Sequence, residues 1–548
     1  MSQPTRIRPG HPTRRFSPAL CLLLLAAASS PVFEGQLGSD LITGSIQSGS
    51  DRGTFHLVRS VTPDSKALSL AASPAVAQQN SLHGLWIGGH PATEGYVMVR
   101  MQVGLDSAAN DAQASINVWG RKPQASPITL NGNRATFQFE ERGGWAAVTA
   151  TLRGDTLVGP VRIGKDTREL RLTRIQTVPS ELKDRIKNTY EGTYETEDHQ
   201  LVRFDAYSEG GAMMYINYTT GEFRDFFLTR NGLIAGPTFF IPHPPTMRLQ
   251  EVKDSLGQPQ IALQDPSSGK VLLRTARRLE FPREDIEVQS DVTISGTLVK
   301  PRGRGPFPVV VSVHGSGPWT RGPPAALDQF LAANGIASWI YDKRGVGKSG
   351  GVYTHDVDSA RFELLAADAI AGVKMLSKRP DIDTNRIGVW GISQAGWIIP
   401  IVAARAPEVD FTVILSGPIT TLSQENYFSS LTGEGADVPR RSRAEIALLM
   451  RAHRPTGFDP IPFVRQMRIP SVWIFGGKDD SVPVDLSIEA LQALQKEGYP
   501  FELSWFPTGN HPMWETTDWS RQYAPLIHRY APQYFDTTLR WILVLSNR

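Results

Sequence analysis

The chain has 548 residues, of which 40% are hydrophobic and 20% charged. That is an ordinary globular composition, at a length too great for one domain. Formal net charge is +3, but the first 30 residues hold Arg6, Arg8, Arg14 and Arg15 and no acid, so 53 of the 57 basic residues remain beyond them against 54 acidic ones. A near-neutral body of this kind has no electrostatic footprint for nucleic acid.

Residues 1–30 read as an export signal: a basic stretch, an apolar run from 19 to 28, then Ser29 and Ser30. The run is about half the roughly 20 residues a membrane-spanning helix needs. The expected localisation is therefore periplasmic or secreted, with no stable membrane span once the signal is removed. The only cysteine, Cys21, stands at the head of the apolar run rather than after it, which argues against a lipoprotein anchor. Once the leader is cleaved, disulfides, thiol catalysis and zinc-thiolate sites are excluded. A second small-residue site, Ala75-Val76-Ala77, offers another processing point. Residues 31–80, rich in Ser, Gly and Ala, otherwise read as an unstructured linker.

From 81 to 280 short β-like runs alternate with turn residues, as at 96–101, 135–139 and 147–152. Two halves are suggested, about 81–178 and 190–280. One opens at His83-Gly84-Leu85-Trp86 and the other at Glu191-Gly192-Thr193-Tyr194, with a helix-like stretch at 180–188 between them. Two unrelated sheets explain the pattern equally well. No metal-ligand spacing or catalytic cluster occurs here, so this region is expected to pack independently and to supply no catalytic group.

From 281 to 548 the rhythm changes to strand, helix, strand, helix, which argues a parallel sheet covered on both faces. Strands are expected at 292–299, 307–313, 336–341, 386–390, 411–415, 471–475 and 501–505. Helices are expected at 325–333, 359–376, 395–404 and 486–496. The second helix carries Phe362, Leu365, Ala369, Val373 and Leu376 as one apolar stripe.

Reactive groups in such sheets collect at the carboxyl ends of strands, and those ends hold a coherent set. The strand at 386–390 runs into Gly391-Ile392-Ser393-Gln394-Ala395-Gly396, a nucleophile elbow with alanine in the last place of G-x-S-x-G. The strand at 307–313 ends in His314-Gly315-Ser316-Gly317-Pro318, a glycine-rich break that frees backbone N–H groups. The oxyanion amides are assigned to Ser316 and Gln394, and His314 is read as structural. Gly476-Gly477-Lys478-Asp479-Asp480 and Gly509-Asn510-His511-Pro512 follow the last two strands. The order Ser, Asp, His is that of α/β-hydrolases. Serine needs a base to remove its proton as it attacks, and histidine needs a carboxylate to hold its tautomer.

These residues resemble the α/β-hydrolase superfamily over about 283–548. The closer likeness is to bacterial esterases and serine-aminopeptidase-like hydrolases, carried by His314-Gly315-Ser316-Gly317 and by Tyr341-Asp342-Lys343-Arg344-Gly345-Val346-Gly347-Lys348-Ser349, a turn after the fourth strand in such relatives. The resemblance implies an α/β-hydrolase fold, a mostly parallel sheet with helices on both faces and a helical cap, here preceded by a β-rich domain. The family's acid loop, Gly-x-x-Asp-x-x-Val-Pro, falls on Gly476, Asp479, Val482 and Pro483, so Asp479 is preferred to Asp480. The cap falls at about 418–467, with a helix at 445–451. Arg440, Arg441, Arg443, Arg451 and Arg454 in it read as a solvated face, with an anionic substrate as the alternative.

The expectation is a serine hydrolase without cofactor or metal, with Ser393, Asp479 and His511 as its catalytic residues. It would act on a small-molecule ester or an aminoacyl substrate through an acyl-enzyme. A serine aminopeptidase and a catalytically degenerate binding protein are the alternatives. Oligomeric state is not legible. Gly345-Val346-Gly347-Lys348-Ser349 suggests a nucleotide-binding loop, but its first glycine would fall on Asp342, a carboxylate facing phosphate. A β-propeller would need about 300 residues for seven blades, more than this region offers.

Overall fold

The computed structural model describes residues 32–37, 41–48, 51–58, 81–92, 95–104, 112–118, 122–141, 144–206, 211–238, 242–321, 326–354, 358–433, 441–516 and 528–546. The export leader, Cys21, Ala75-Val76-Ala77 and Arg440 lie outside them. Two compact units are present, Met1–Ser69 and Leu70–Arg548. The first contains a three-stranded antiparallel meander, Val32–Leu37, Leu41–Ser48 and Asp51–Val58, inside the stretch read from composition as a linker. β-Branched and aromatic residues spaced through it (Phe33, Ile42, Thr43, Ile46, Phe55) suit strands, a pattern the abundance of Ser and Gly obscured.

In the second unit, eight strands from Gly84–Ala92 to Asp166–Ile175 form a closed barrel in which each strand pairs with its sequence neighbour. The last returns to the first with Ile175 opposite Leu85. Eight more strands, Gly192–Thr196 to Val271–Leu279, repeat the architecture, closing with Leu279 opposite Thr193. Helix Ser180–Thr189 joins the two barrels.

The sheet of the carboxyl-terminal domain has eight strands: β1 Arg283–Gln289, β2 Thr293–Val299, β3 Phe307–Val313, β4 Ala337–Tyr341, β5 Ile382–Ile392, β6 Phe411–Leu415, β7 Ser471–Gly476 and β8 Phe501–Phe506. Their spatial order is β1-β2-β4-β3-β5-β6-β7-β8, parallel from β4 onward. The sequence reading missed β1. Its residues, REDIEVQ, are mostly charged, as befits an edge strand that must not recruit another.

Each face of the sheet has its own core. Helices Ser359–Leu376, Ala395–Arg405 and Val484–Lys496 bury Phe362, Val373, Ile398 and Leu491 against Val309, Val311 and Val389. On the opposite face Val310, Val413 and Val472 meet Phe330 of helix Ala326–Ala333 and Phe535 of helix Tyr534–Ser546. Ile216, Tyr218 and Phe223 of the second barrel belong to that same core. The expectation of an independently packed β region therefore fails for this barrel. Its outward face carries large apolar side chains, which the carboxyl-terminal domain covers. Among the described residues, no helix is long and apolar enough to cross a membrane.

Candidate active site

At the end of β5 the chain turns sharply, and Ser393 sits at φ +59°, a left-handed conformation rare for a residue with a side chain. The turn closes through Gly396 N–H to Ser393 O at 2.8 Å, while Ser393 N–H reaches Leu415 O on β6 at 2.9 Å. Such strain at a strand-to-helix turn is how an elbow serine is held out of the sheet. The departure from G-x-S-x-G is also explained. A Cβ at position 391 would lie 2.5 Å from the Ala395 methyl and 2.6 Å from Val313 O, so Gly391 makes the room that Ala395 fills. Gly396 is the position that backs onto Gly417, where a Cβ would stand 2.6 Å from backbone.

Gln394 is buried and opens helix Ala395–Arg405, where first-turn N–H groups lack intrahelical acceptors and favour negative charge. Ser316 lies on the loop after β3. The preceding Gly315 approaches the elbow so closely that a Cβ on it would be 3.4 Å from Ser393 Cβ. The two expected oxyanion segments thus flank the serine.

His511 Nδ1 and Asp479 Oδ2 are 2.9 Å apart. The other oxygen of Asp479 accepts from Ser481 N–H at 2.9 Å and Val482 N–H at 3.0 Å, so the buried carboxylate is fully engaged. The bond to the histidine runs to Asp479, the preferred one of the two neighbouring aspartates. The acid and histidine loops pack backbone to backbone: Lys478 N–H donates to Gly509 O at 2.8 Å, and a Cβ on Gly476 would be 2.3 Å from that oxygen. The end of β6 then joins both halves of the site. Leu415 O receives Ser393 N–H, and the next residue, Ser416, donates its hydroxyl to His511 O at 2.7 Å.

His314 is elsewhere. It is buried with Nε2 against Tyr341 O, and burial pushes its pKa down to about 4, so it stays neutral as part of the core. The run Gly345–Ser349 wraps around Asp342, whose carboxylate accepts from Lys348 N–H at 2.8 Å and pairs with Arg321 at 3.1 Å. That carboxylate fills the space a phosphate would need. The cap comprises helices Leu422–Thr432, Arg443–Ala452 and the short Ile461–Val464. Between it and the acid loop is a cleft of about 300 Å³ lined by Phe428, Ile446, Met450, Asp479 and Val482 among others. Arg443, tied to Gly477 O at 2.9 Å, and Arg451, facing Glu489 at 3.7 Å, line this same cleft.

One charged group at the site was not singled out by the sequence reading. Lys343, just beyond β4, is buried, and its Nζ donates to Gly315 O at 2.7 Å and Gln394 Oε1 at 2.9 Å. The available signal was its position after the carboxyl end of a central strand, where functional groups gather. Among the described residues, no group of His, Cys, Asp or Glu side chains is arranged to hold a metal ion.

Residues 326–537 match the prolyl oligopeptidase family. Esterase EstD of Thermotoga maritima is 30% identical over 229 residues, which are 37% of this chain and 53% of the esterase. Polyketide transferase grgF of a Penicillium species is 25% identical over 40% of this chain and 68% of its own. Dipeptidyl peptidase 4 of Bos taurus is 23% identical over 34% of this chain and 24% of its own. The chain therefore spans about half the length of the esterase it matches. Among solved structures, the Pyrococcus furiosus esterase Pf2001 aligns at 22% identity with a TM-score of 0.33, covering 42% of this chain and 82% of that one. Strand order and sequence likeness together give the carboxyl-terminal domain the α/β-hydrolase fold, with similarity to esterases and to the prolyl oligopeptidase family, preceded by a β-rich region.

Proposed function

We propose that the protein is a serine hydrolase that cleaves ester bonds of small or medium acyl substrates through an acyl-enzyme. The observation that carries this reading is the strained Ser393 turn joined, through Leu415 and Ser416, to the loop that holds His511 against Asp479. His511 takes the Ser393 proton as Oγ attacks the carbonyl carbon. The oxyanion is held by the N–H groups of Ser316 and Gln394. The leaving alkoxide receives the proton from His511, and water, activated by the same imidazole, then frees the acid. Asp479 stabilises the imidazolium that forms at each stage.

Amide hydrolysis is the second reading, favoured by the match to the prolyl oligopeptidase family. Purified protein assayed on p-nitrophenyl esters and aminoacyl p-nitroanilides decides between them; turnover of the anilides alone would overturn the ester assignment. Ser393→Ala should lower turnover by about 10⁶, the factor lost with a serine nucleophile, and abolish fluorophosphonate labelling. Undiminished labelling would place the nucleophile elsewhere.

The basic, then apolar, start of the chain supports export to the periplasm or medium. Mass spectrometry of the mature amino terminus should find a start near Pro31 or Gln78. Met1 on exported protein would argue for a retained anchor instead.

A further inference from the structure

Lys343 presents a physical puzzle. Its ammonium is buried, yet both of its hydrogen-bond acceptors, Gly315 O and Gln394 Oε1, are neutral. Its two chain neighbours lie in other ion pairs: Asp342 pairs with Arg321, and Arg344 takes Asp291 and Asp368. An ammonium taken out of water without a carboxylate costs stability. Packing alone gives no reason for a cation here, because methionine would fill the same space without that cost.

Peptide geometry supplies a reason. Gly315 O and Ser316 N–H belong to one planar trans peptide and point in opposite directions. A donor fixed on Gly315 O therefore aims the Ser316 N–H away from Lys343. Gly315 itself lies against Ser393, and Gln394, whose side chain ends on the same ammonium, follows that serine directly. Ser316 and Gln394 come from loops 78 positions apart in the chain, and the ammonium is the group that bonds to both segments.

We propose that Lys343 is the positioning residue of the oxyanion hole, holding the Gly315–Ser316 peptide and Gln394 in one frame and meeting its counter-charge only when the oxyanion forms. This rests on the serine-hydrolase reading above. A carbonyl that accepts a charge-assisted bond also polarises its own peptide, so the N–H on the other side becomes a stronger donor. Because the negative charge exists only in the transition state and tetrahedral intermediate, the benefit falls on kcat rather than on KM.

Protonation follows from the surroundings. The charged or titratable groups about Lys343 are Arg361, His314, Asp342 and Arg344. Burial first, and then Arg361, push the ammonium pKa down to about 7. Lys343 is therefore charged below that pH and neutral above it. The oxyanion support weakens as pH rises through about 7.

Lys343→Met keeps the apolar stem and removes both the donors and the charge. We expect kcat on a p-nitrophenyl ester to fall about 10- to 100-fold, less than the roughly 10²–10³ of deleting an oxyanion donor itself. KM should change by less than about threefold. Affinity for a boronic acid, which forms a tetrahedral adduct on serine, should fall in step with kcat, and the alkaline limb of kcat/KM should vanish. A folded Lys343→Met protein with wild-type kcat and wild-type boronate affinity overturns the proposal. If that variant does not fold, Gln394→Glu decides: a carboxylate beside the ammonium must move the alkaline limb to higher pH, and a limb that stays in place overturns the proposal. Fluorophosphonate labelling of the wild type separates the two levels. No label on Ser393 overturns the serine-hydrolase reading and this role with it; a labelled wild type with an unaffected Lys343→Met overturns the role of Lys343 alone.

Discussion

The two barrels share strand number, pairing and closure, and differ in what lies outside them. In the first, strand Arg134–Glu141 alternates strictly between exposed and buried residues. Only its inward side chains, such as Ala135, Phe137 and Phe139, belong to a core. In the second, strand Phe223–Thr229 is buried at every position. Phe226 and Leu228 fill the barrel, Phe223 joins the core of the catalytic domain, and Phe227 meets Ile87 and Ile175 of the first barrel. The second barrel also grips the backbone that follows His511: Tyr530 N–H donates to Gly221 O at 2.8 Å, and Phe223 N–H and Arg224 Nη1 both reach His528 O, at 2.9 and 2.7 Å. The buried core of the first barrel is formed by its own residues, from Leu82 and Trp86 to Leu170 and Leu172. One fold thus serves as a peripheral module in one copy and as a wall of the enzyme in the other.

Truncation breaks this comparison most severely. A chain beginning at Thr177 should retain ester turnover within about twofold, since ordinary interfaces between domains leave each core intact. A chain beginning at Leu279 should lose soluble activity altogether. It would expose the apolar face around Val310, Phe330, Met513 and Phe535, and large apolar patches drive aggregation. It would also release the backbone partners of residues 528–530. Soluble, fully active protein from the shorter chain would show that the second barrel is as dispensable as the first.

Single substitutions sharpen the same contrast. Phe139→Ala and Phe223→Ala each remove a fully buried ring and should each cost about 3–5 kcal/mol where they pack. Phe139→Ala should loosen the first barrel and leave kcat unchanged. Phe223 packs on Trp514, three residues beyond His511, and on Tyr530, with ring centroids at 5.5 and 5.1 Å. Its loss should lower kcat about tenfold, because misplacing a catalytic group by even about 1 Å is costly. Paired thermal melts and steady-state kinetics test this; equal effects of the two variants on kcat would erase the distinction.

The candidate site was more legible in the sequence than its supports. Ser393, Asp479 and His511 lie at strand ends in the chain order of the α/β-hydrolase fold, so local motifs sufficed to nominate them. Lys343 was not legible because its significance is a pair of contacts, to Gly315 and Gln394, that only the folded sheet creates. The two-sided burial of the second barrel left a trace that went unread. Met213-Met214-Tyr215-Ile216 and Phe226-Phe227-Leu228 are apolar on consecutive positions, the mark of strands covered on both faces. Ala135-Thr136-Phe137-Gln138-Phe139 alternates, the mark of strands covered on one. The edge strand β1 escaped because charge at an edge reads as loop in a single sequence.

The smallest expected effect concerns the junction between the barrels and its response to acid. His243 of the second barrel lies beside Tyr96 of the first, with ring centroids 6.3 Å apart, and the adjacent Pro242 O accepts from Thr173 Oγ1 at 3.3 Å. Burial first, and then the Arg171 cation, push the His243 pKa from 6.5 down to about 4. With the barrels docked the ring stays neutral to about that pH; in a separated, solvated barrel it takes a proton near 6.5. Docking is therefore independent of pH above about 6.5 and weakens progressively as pH falls from there toward 4. The ring is partly exposed, so solvent screening limits the effect to about 1–2 kcal/mol. Limited proteolysis of the connecting segment, residues 176–191, should accelerate between pH 6.5 and 4.5 in the wild type, and the acceleration should be largely absent in His243→Gln. His314, with the same depressed pKa inside the catalytic core, acts on the stability of that domain and leaves this cleavage unchanged. A cleavage rate that is flat across the range, or an acceleration retained in His243→Gln, would detach His243 from the junction and leave the first barrel held by its apolar contacts at Ile87, Ile175 and Phe227, by the Arg230–Asp155 ion pair at 3.4 Å and by the Thr173–Pro242 hydrogen bond.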